Sequence, residues 1–123
     1  MSNYSQRVLP MLAEVRRVAD VPAEFVRACG NELDALNLCM NLSHLSDETI
    51  RDALGIDKGH FSRIRKGRGN FPPNKRVALM ELCGNRAPVQ YEAWRMGCEV
   101  VELSKDVQIR ELEKQIANLR RAA

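Results

Sequence analysis

The sequence predicts an all-α chain in three parts. These are an N-terminal helical extension over residues 1–30, a helix-turn-helix domain over 31–97, and a linker with a short coiled-coil-like helix over 98–123. Three observations lead there. Apolar residues recur at three- and four-residue spacing through most of the chain, the period of a helix with one buried face. Gly, Pro and Asn fall between those stretches, where helices start and stop. The last twenty residues carry apolar side chains at the a and d positions of a heptad.

Each element has its own justification. Over 7–20, Val8, Met11, Leu12, Val15 and Val18 share one helical face, Pro10 is tolerated near a helix start, and Val21-Pro22 breaks the pattern. From 23 to 42, Phe25, Val26, Cys29, Leu33, Leu36, Cys39 and Met40 keep helical spacing, and Gly30-Asn31 divides the stretch with Asn31 as a cap. Ser43-His44-Leu45 closes it, with His44 expected as a surface turn residue. Ser46 caps a helix through Leu54, where Asp47 and Glu48 complement the positive end of the dipole. Gly55 ends that helix, Asp57 caps the next, and Gly67 stops it after about Lys66. Beyond a loop at 68–70, Pro72-Pro73 opens a helix through Cys83 that Gly84-Asn85 ends. Pro88 opens another, over 89–96, with Tyr91 and Trp94 as its expected core anchors. Residues 98–103 read as extended. Ile109, Leu112, Ile116 and Leu119 then form the heptad seam, expected to pair with a second copy of the chain; packing on its own domain is the other reading.

The composition sets bounds on function. With 123 residues, 45% of them hydrophobic and 28% charged, the chain suits one folded domain and an appendage. No apolar run approaches the roughly 18 to 20 residues that span a bilayer, and the first residues lack a signal-peptide pattern, so no membrane contact and a cytoplasmic location are expected. Cys29, Cys39, Cys83 and Cys98 are widely spaced and sit among apolar neighbours, with His44 and His60 the only histidines; the expectation is reduced core thiols, no metal and no cofactor. No nucleophile elbow, phosphate-binding loop or zinc-protease motif is present, and Glu111 and Glu113 lie in a charged helix, so catalysis is not expected.

Charge is unevenly distributed. Residues 1–50 hold four Lys/Arg against seven Asp/Glu, 51–86 hold nine against three, and 87–123 hold six of each. The positive charge is thus concentrated in the middle third, the footprint expected of a nucleic-acid contact surface; a solvated basic face with no partner is the other reading. In that third the second helix of the turn unit turns Phe61 and Ile64 inward and frees Lys58, Ser62, Arg63 and Lys66 to face outward. A helix so presented fits the DNA major groove, with residues near its N-terminus reaching base edges and Lys/Arg reaching phosphates.

Leu54-Gly55-Ile56, Phe61, Ser62-Arg63-Ile64 and Gly67 resemble the frame of the Xre/Cro/CI helix-turn-helix regulators, over roughly residues 35–97. Ala35-Leu36-Asn37-Leu38-Cys39, 55–60, Lys66-Gly67 and 82–88 look more narrowly like small phage and prophage proteins classed as transcriptional regulators. The resemblance implies a lambda-repressor-like domain and double-stranded DNA as partner, while the homodimer is expected from the heptad seam. It implies base reading by Lys58, Gly59, Ser62 and Arg63. Arg65, Lys66, Arg68, Asn70 and Lys75 are the phosphate candidates around the end of the recognition helix. His60 either packs on the preceding helix or approaches the groove. Two positions depart from the family: Arg51 stands where a small residue is usual at the helix contact, and Arg65 where glutamate is common. The alternatives to a regulator are a phage-encoded adaptor or inhibitor of a host protein, docking through 1–30, and the antitoxin of a toxin–antitoxin pair.

Overall fold

The computed structural model describes residues 18–122, so most of the helix expected over 7–20 lies outside the described residues. Its last three positions are not helical. Ala19 forms a parallel bridge with Asn85: its N–H donates to the Gly84 carbonyl at 3.0 Å, and Arg86 N–H donates to the Ala19 carbonyl at 3.1 Å. The cause is local and tertiary together. Val21 precedes a proline, which disfavours helical backbone, and the bridge satisfies the polar groups that a helix would have used.

Seven helices follow among the described residues: α1 (Ala23–Arg27), α2 (Glu32–Ser43), α3 (Asp47–Leu54), α4 (Lys58–Arg65), α5 (Arg76–Cys83), α6 (Ala87–Arg95) and α7 (Lys105–Ala122). No strand is present among them. Side chains fix most of the starts. Asn31 accepts from Asp34 N–H at 2.9 Å while the Asp34 carboxylate takes Gly30 N–H at 2.8 Å, a reciprocal cap. Ser46 accepts from Thr49 N–H at 3.1 Å. The ends of α3 and α4 share one closure: Gly55 and Gly67 take positive φ, and the next residue's N–H reaches back five positions, Ile56 to Arg51 at 2.9 Å and Arg68 to Arg63 at 2.8 Å. His44 closes α2 in the same left-handed region at φ 60°. The expected helix after Pro72-Pro73 begins instead as a 3₁₀ turn, Pro73–Lys75, and α5 starts at Arg76.

The long helix α2 is the axis of the core. It packs on α5 and α6, while α1 lies on α6 and α3 on α5. Leu36, Cys39 and Met40 of α2 meet Ile50, Phe61, Ile64, Leu79 and Tyr91 in one buried cluster. Val21 and Val26 belong to the same cluster, so residues 21–26, read from sequence as part of an extension, are integral to the packed domain. Gln90 secures that segment, accepting from Val21 N–H at 2.8 Å and donating to the Val21 carbonyl at 2.9 Å. Two aromatic expectations part company: Tyr91 is buried, but Trp94 is 38% exposed, tilted against Tyr91 at 6.4 Å between ring centroids. Cys98 is exposed as well, and all four thiols are free.

Residues 98–104 are irregular and lead to α7, none of whose residues is buried. Ile109, Ile116 and Leu119 are exposed and Leu112 is partly covered. No helix among the described residues is long and apolar enough to cross a membrane.

Candidate nucleic-acid interface

The helix pair α3–α4 is joined by three residues, Gly55-Ile56-Asp57. Ile50, Ile56, Phe61 and Ile64 are buried, which anchors both helices to the core. The opposite side of α4 is thereby fixed outward: Lys58, Gly59, Ser62 and Arg63 are all exposed, as are Lys66, Arg68 and Asn70 beyond its end. His60 is partly covered.

The N-terminal turn of α4 is occupied by its own cap. Asp57 accepts from Gly59 N–H at 3.0 Å and His60 N–H at 3.3 Å. Its carboxylate therefore complements the dipole where an incoming phosphate would otherwise bind. Gly59 is closely hemmed in: a Cβ there would stand 3.3 Å from Asp57 Oδ2 and 3.5 Å from Arg63 Nη1. The Arg63 guanidinium lies over the first turn beside Gly59, at the same end of the helix as Lys58. The loop after α4 folds back beneath it, with Gly69 against Arg63 and Ile64.

The nine basic residues of 51–86 divide into two groups. Five have internal partners. Arg51 pairs with Asp52 at 3.3 Å and keeps only 21% of its side chain exposed, so its stem is covered while its head reaches the surface. Arg76 sits between Glu32, at 3.6 Å, and Glu92. Arg86 pairs with Asp20 at 2.6 Å and Glu102 at 2.9 Å. The other two were expected at phosphates. Arg65 donates to Asn37 at 2.5 Å and Asn41 at 3.0 Å and pairs with Asp47 at 3.3 Å, tying α4 to α2 and to the start of α3. Lys75 donates to the carbonyls of Leu54, at 2.5 Å, and Gly55, at 3.3 Å, and so closes the C-terminal end of α3.

The remaining four, Lys58, Arg63, Lys66 and Arg68, are exposed and have no ion pair to another described residue. All four lie on α4 or the turn that follows it.

The tie between Arg65 and Asn37 escapes a reading of α4 alone. The signal for it is Asn37, a polar residue between Leu36 and Leu38 on the covered side of α2, with Asn41 one turn on. Among the described residues no group of His, Cys, Asp or Glu is arranged to hold a metal ion. No protein-family model, curated protein or solved structure matches the chain.

Proposed function

We propose that the chain is a sequence-specific double-stranded DNA-binding transcriptional regulator of the phage-repressor type, with α4 as its recognition helix. The observation that supports this reading is the division of the basic side chains. Every arginine or lysine of 51–86 that lies away from the outer face of α4 and its turn is engaged internally, the arginines by carboxylates and Lys75 by two backbone carbonyls. Those on that face stand free in water, where they cost nothing to discharge against phosphates. Arg63 and Lys58 are the base-reading candidates, because a guanidinium or ammonium at the first turns of a helix in the major groove reaches guanine O6 and N7. Ser62 and the open backbone at Gly59 complete that surface. Lys66, Arg68 and Asn70 are the phosphate candidates.

The apolar seam of α7 is proposed to pair with a second copy, since Ile109, Ile116 and Leu119 lie exposed at heptad spacing. Two copies would read two half-sites about one helical turn, roughly 34–36 Å, apart.

The test is to sequence DNA fragments that copurify with the protein and to measure affinity for the enriched site against salt. A preferred site with a steep log–log salt slope supports the regulator. A second reading, an adaptor or antitoxin that acts on another protein, draws on the exposure of Phe25 and Met96 at the surface of α1 and the end of α6. Salt-resistant association with one protein, and no preference among DNA sequences, would favour it.

A further inference from the structure

Residues 98–104 join the packed domain to α7. As a flexible coil, a segment of that length would let its ends drift over about 15 Å. Four anchors oppose this. At the near end, Gly97 takes positive φ and Cys98 N–H donates to the Ala93 carbonyl at 2.8 Å, which fixes the exit from α6. Val100, partly covered where the rest of 98–104 is exposed, lines a cavity with Val21, Val26 and Trp94. Glu102 accepts from Arg86 Nη2 at 2.9 Å. At the far end, the Ser104 hydroxyl accepts from Val107 N–H at 3.3 Å and Gln108 Nε2 donates to the Leu103 carbonyl at 2.7 Å, so the first turn of α7 is bonded back onto the linker.

Arg86 is the point at which the linker meets the domain through charge. Its backbone is already fixed, because its N–H donates to the Ala19 carbonyl at 3.1 Å. Its side chain is only 19% exposed and spans two carboxylates, Asp20 at 2.6 Å through Nη1 and Glu102 at 2.9 Å through Nη2. One arginine thus ties together the segment before α1, the start of α6 and the linker. Glu102 itself is 63% exposed, and such a pair adds little to stability. What it decides is direction, since it meets a guanidinium whose own ordering cost is already met by the other contacts.

We infer that residues 98–104 are a strut, and that Arg86 is the positioning residue which, through Glu102, fixes the direction in which α7 leaves the domain. The consequence falls on assembly. In two copies paired through α7, a fixed joint gives the two α4 helices one separation, whereas a flexible tether would allow many. That consequence rests on the pairing proposed above; the joint does not.

The test therefore needs neither DNA nor a second copy. Amide nitrogen relaxation is recorded on the full chain, and the amides of α2–α6 and of α7 should fit one anisotropic rotational diffusion tensor, whether α7 is single or paired. In Glu102→Ala the α7 amides should require a tensor of their own, while the melting temperature stays at the parent's value. Glu99→Ala makes the same charge change at an exposed linker position outside the clasp and should keep the single tensor. Separate tensors in the parent, or a single tensor that survives in Glu102→Ala, would overturn the inference.

Discussion

Arg65 and Asn37 hold each other through both side chain and backbone: Arg65 Nη1 donates to Asn37 Oδ1 at 2.5 Å, and Asn37 Nδ2 reaches the Arg65 carbonyl at 3.5 Å. The pair fastens the last turn of α4 to α2, and Asn41 and Asp47 receive the rest of the guanidinium. Arg65 keeps about a quarter of its side chain in solvent, so the charge-assisted bonds are screened; Arg65→Ala should cost about 1–2 kcal/mol in urea denaturation. The Asn37→Ala/Arg65→Ala double variant should lose less than the sum of the single losses, because each removes the same contact. Additive losses would mean that the contact contributes nothing. Arg65→Glu should be worse than Arg65→Ala, since it sets a carboxylate beside Asp47.

Lys75 and Lys66 separate a structural cation from a free one. Lys75 closes the carbonyls of Leu54 and Gly55, so Lys75→Met should cost about 1 kcal/mol of stability while leaving the salt dependence of DNA binding unchanged. Lys66→Ala should leave stability unchanged and reduce the log–log salt slope by about 0.9, the contribution of one phosphate contact. Urea melts and binding titrations at several salt concentrations check both. A reduced slope for the Lys75 variant would return that residue to the interface.

What was legible in the sequence is what local chemistry determines. Asn31, Ser46 and Asp57 cap because a short polar side chain reaches the amides two or three residues on, whatever lies elsewhere in the fold. Gly55 and Gly67 end helices because only positive φ closes those turns. The outward direction of Lys58, Ser62 and Arg63 followed from the inward period of Phe61 and Ile64. The features that escaped a local reading depend on partners distant in sequence. Arg65 and Lys75 read as phosphate candidates on charge alone, and their ties to α2 and to the end of α3 show only once those elements are placed beside them. Ala19 looks helical until Asn85 is placed alongside, and the exposure of Trp94 depends on what the neighbouring elements leave uncovered, which spacing within α6 does not encode.

Gln90 pairs with both backbone groups of Val21, which makes it a test of how residues 19–21 are held. Gln90→Ala leaves that N–H and carbonyl unpaired in a partly buried site and should cost about 1–3 kcal/mol, with faster hydrogen exchange at Val21. Gln90→Glu keeps the acceptor but opposes the Val21 carbonyl with a second oxygen unless protonated. Its folded pKa should therefore lie above the unfolded value of about 4.3. Stability then rests on the proton: it is present in full below that value and is lost as pH rises through the folded pKa. The variant should approach the parent near pH 4 and fall behind it at about pH 7. A pH-independent deficit would show that the carbonyl contact does not matter.

Removing residues 104–123 should shift the protein toward monomer in sedimentation velocity, because it deletes the heptad seam and no residue of α7 is buried in its own domain. The melting temperature of the remaining domain should change little for the same reason. A dimer that survives the deletion would move the interface to the packed domain or the segment before it.

Arg63 and Lys66 should fail in different ways if α4 reads DNA. Arg63→Ala removes the one free guanidinium over the first turn of the helix and should cost about 1–3 kcal/mol at a single base pair, with specificity relaxed there. Lys66→Ala should weaken binding to all sequences alike, since a phosphate contact carries no sequence information. Competition binding against a library with each position of the site randomised separates the two patterns. The Asp57 cap sharpens the expectation: with the amides of Gly59 and His60 already satisfied, affinity at this end of α4 has to come from side chains. Asp57→Asn keeps the cap and removes its charge, so it should tighten binding to any DNA without altering which base Arg63 prefers. Equal binding of the parent, Arg63→Ala and Lys66→Ala at the enriched site would remove α4 from the interface.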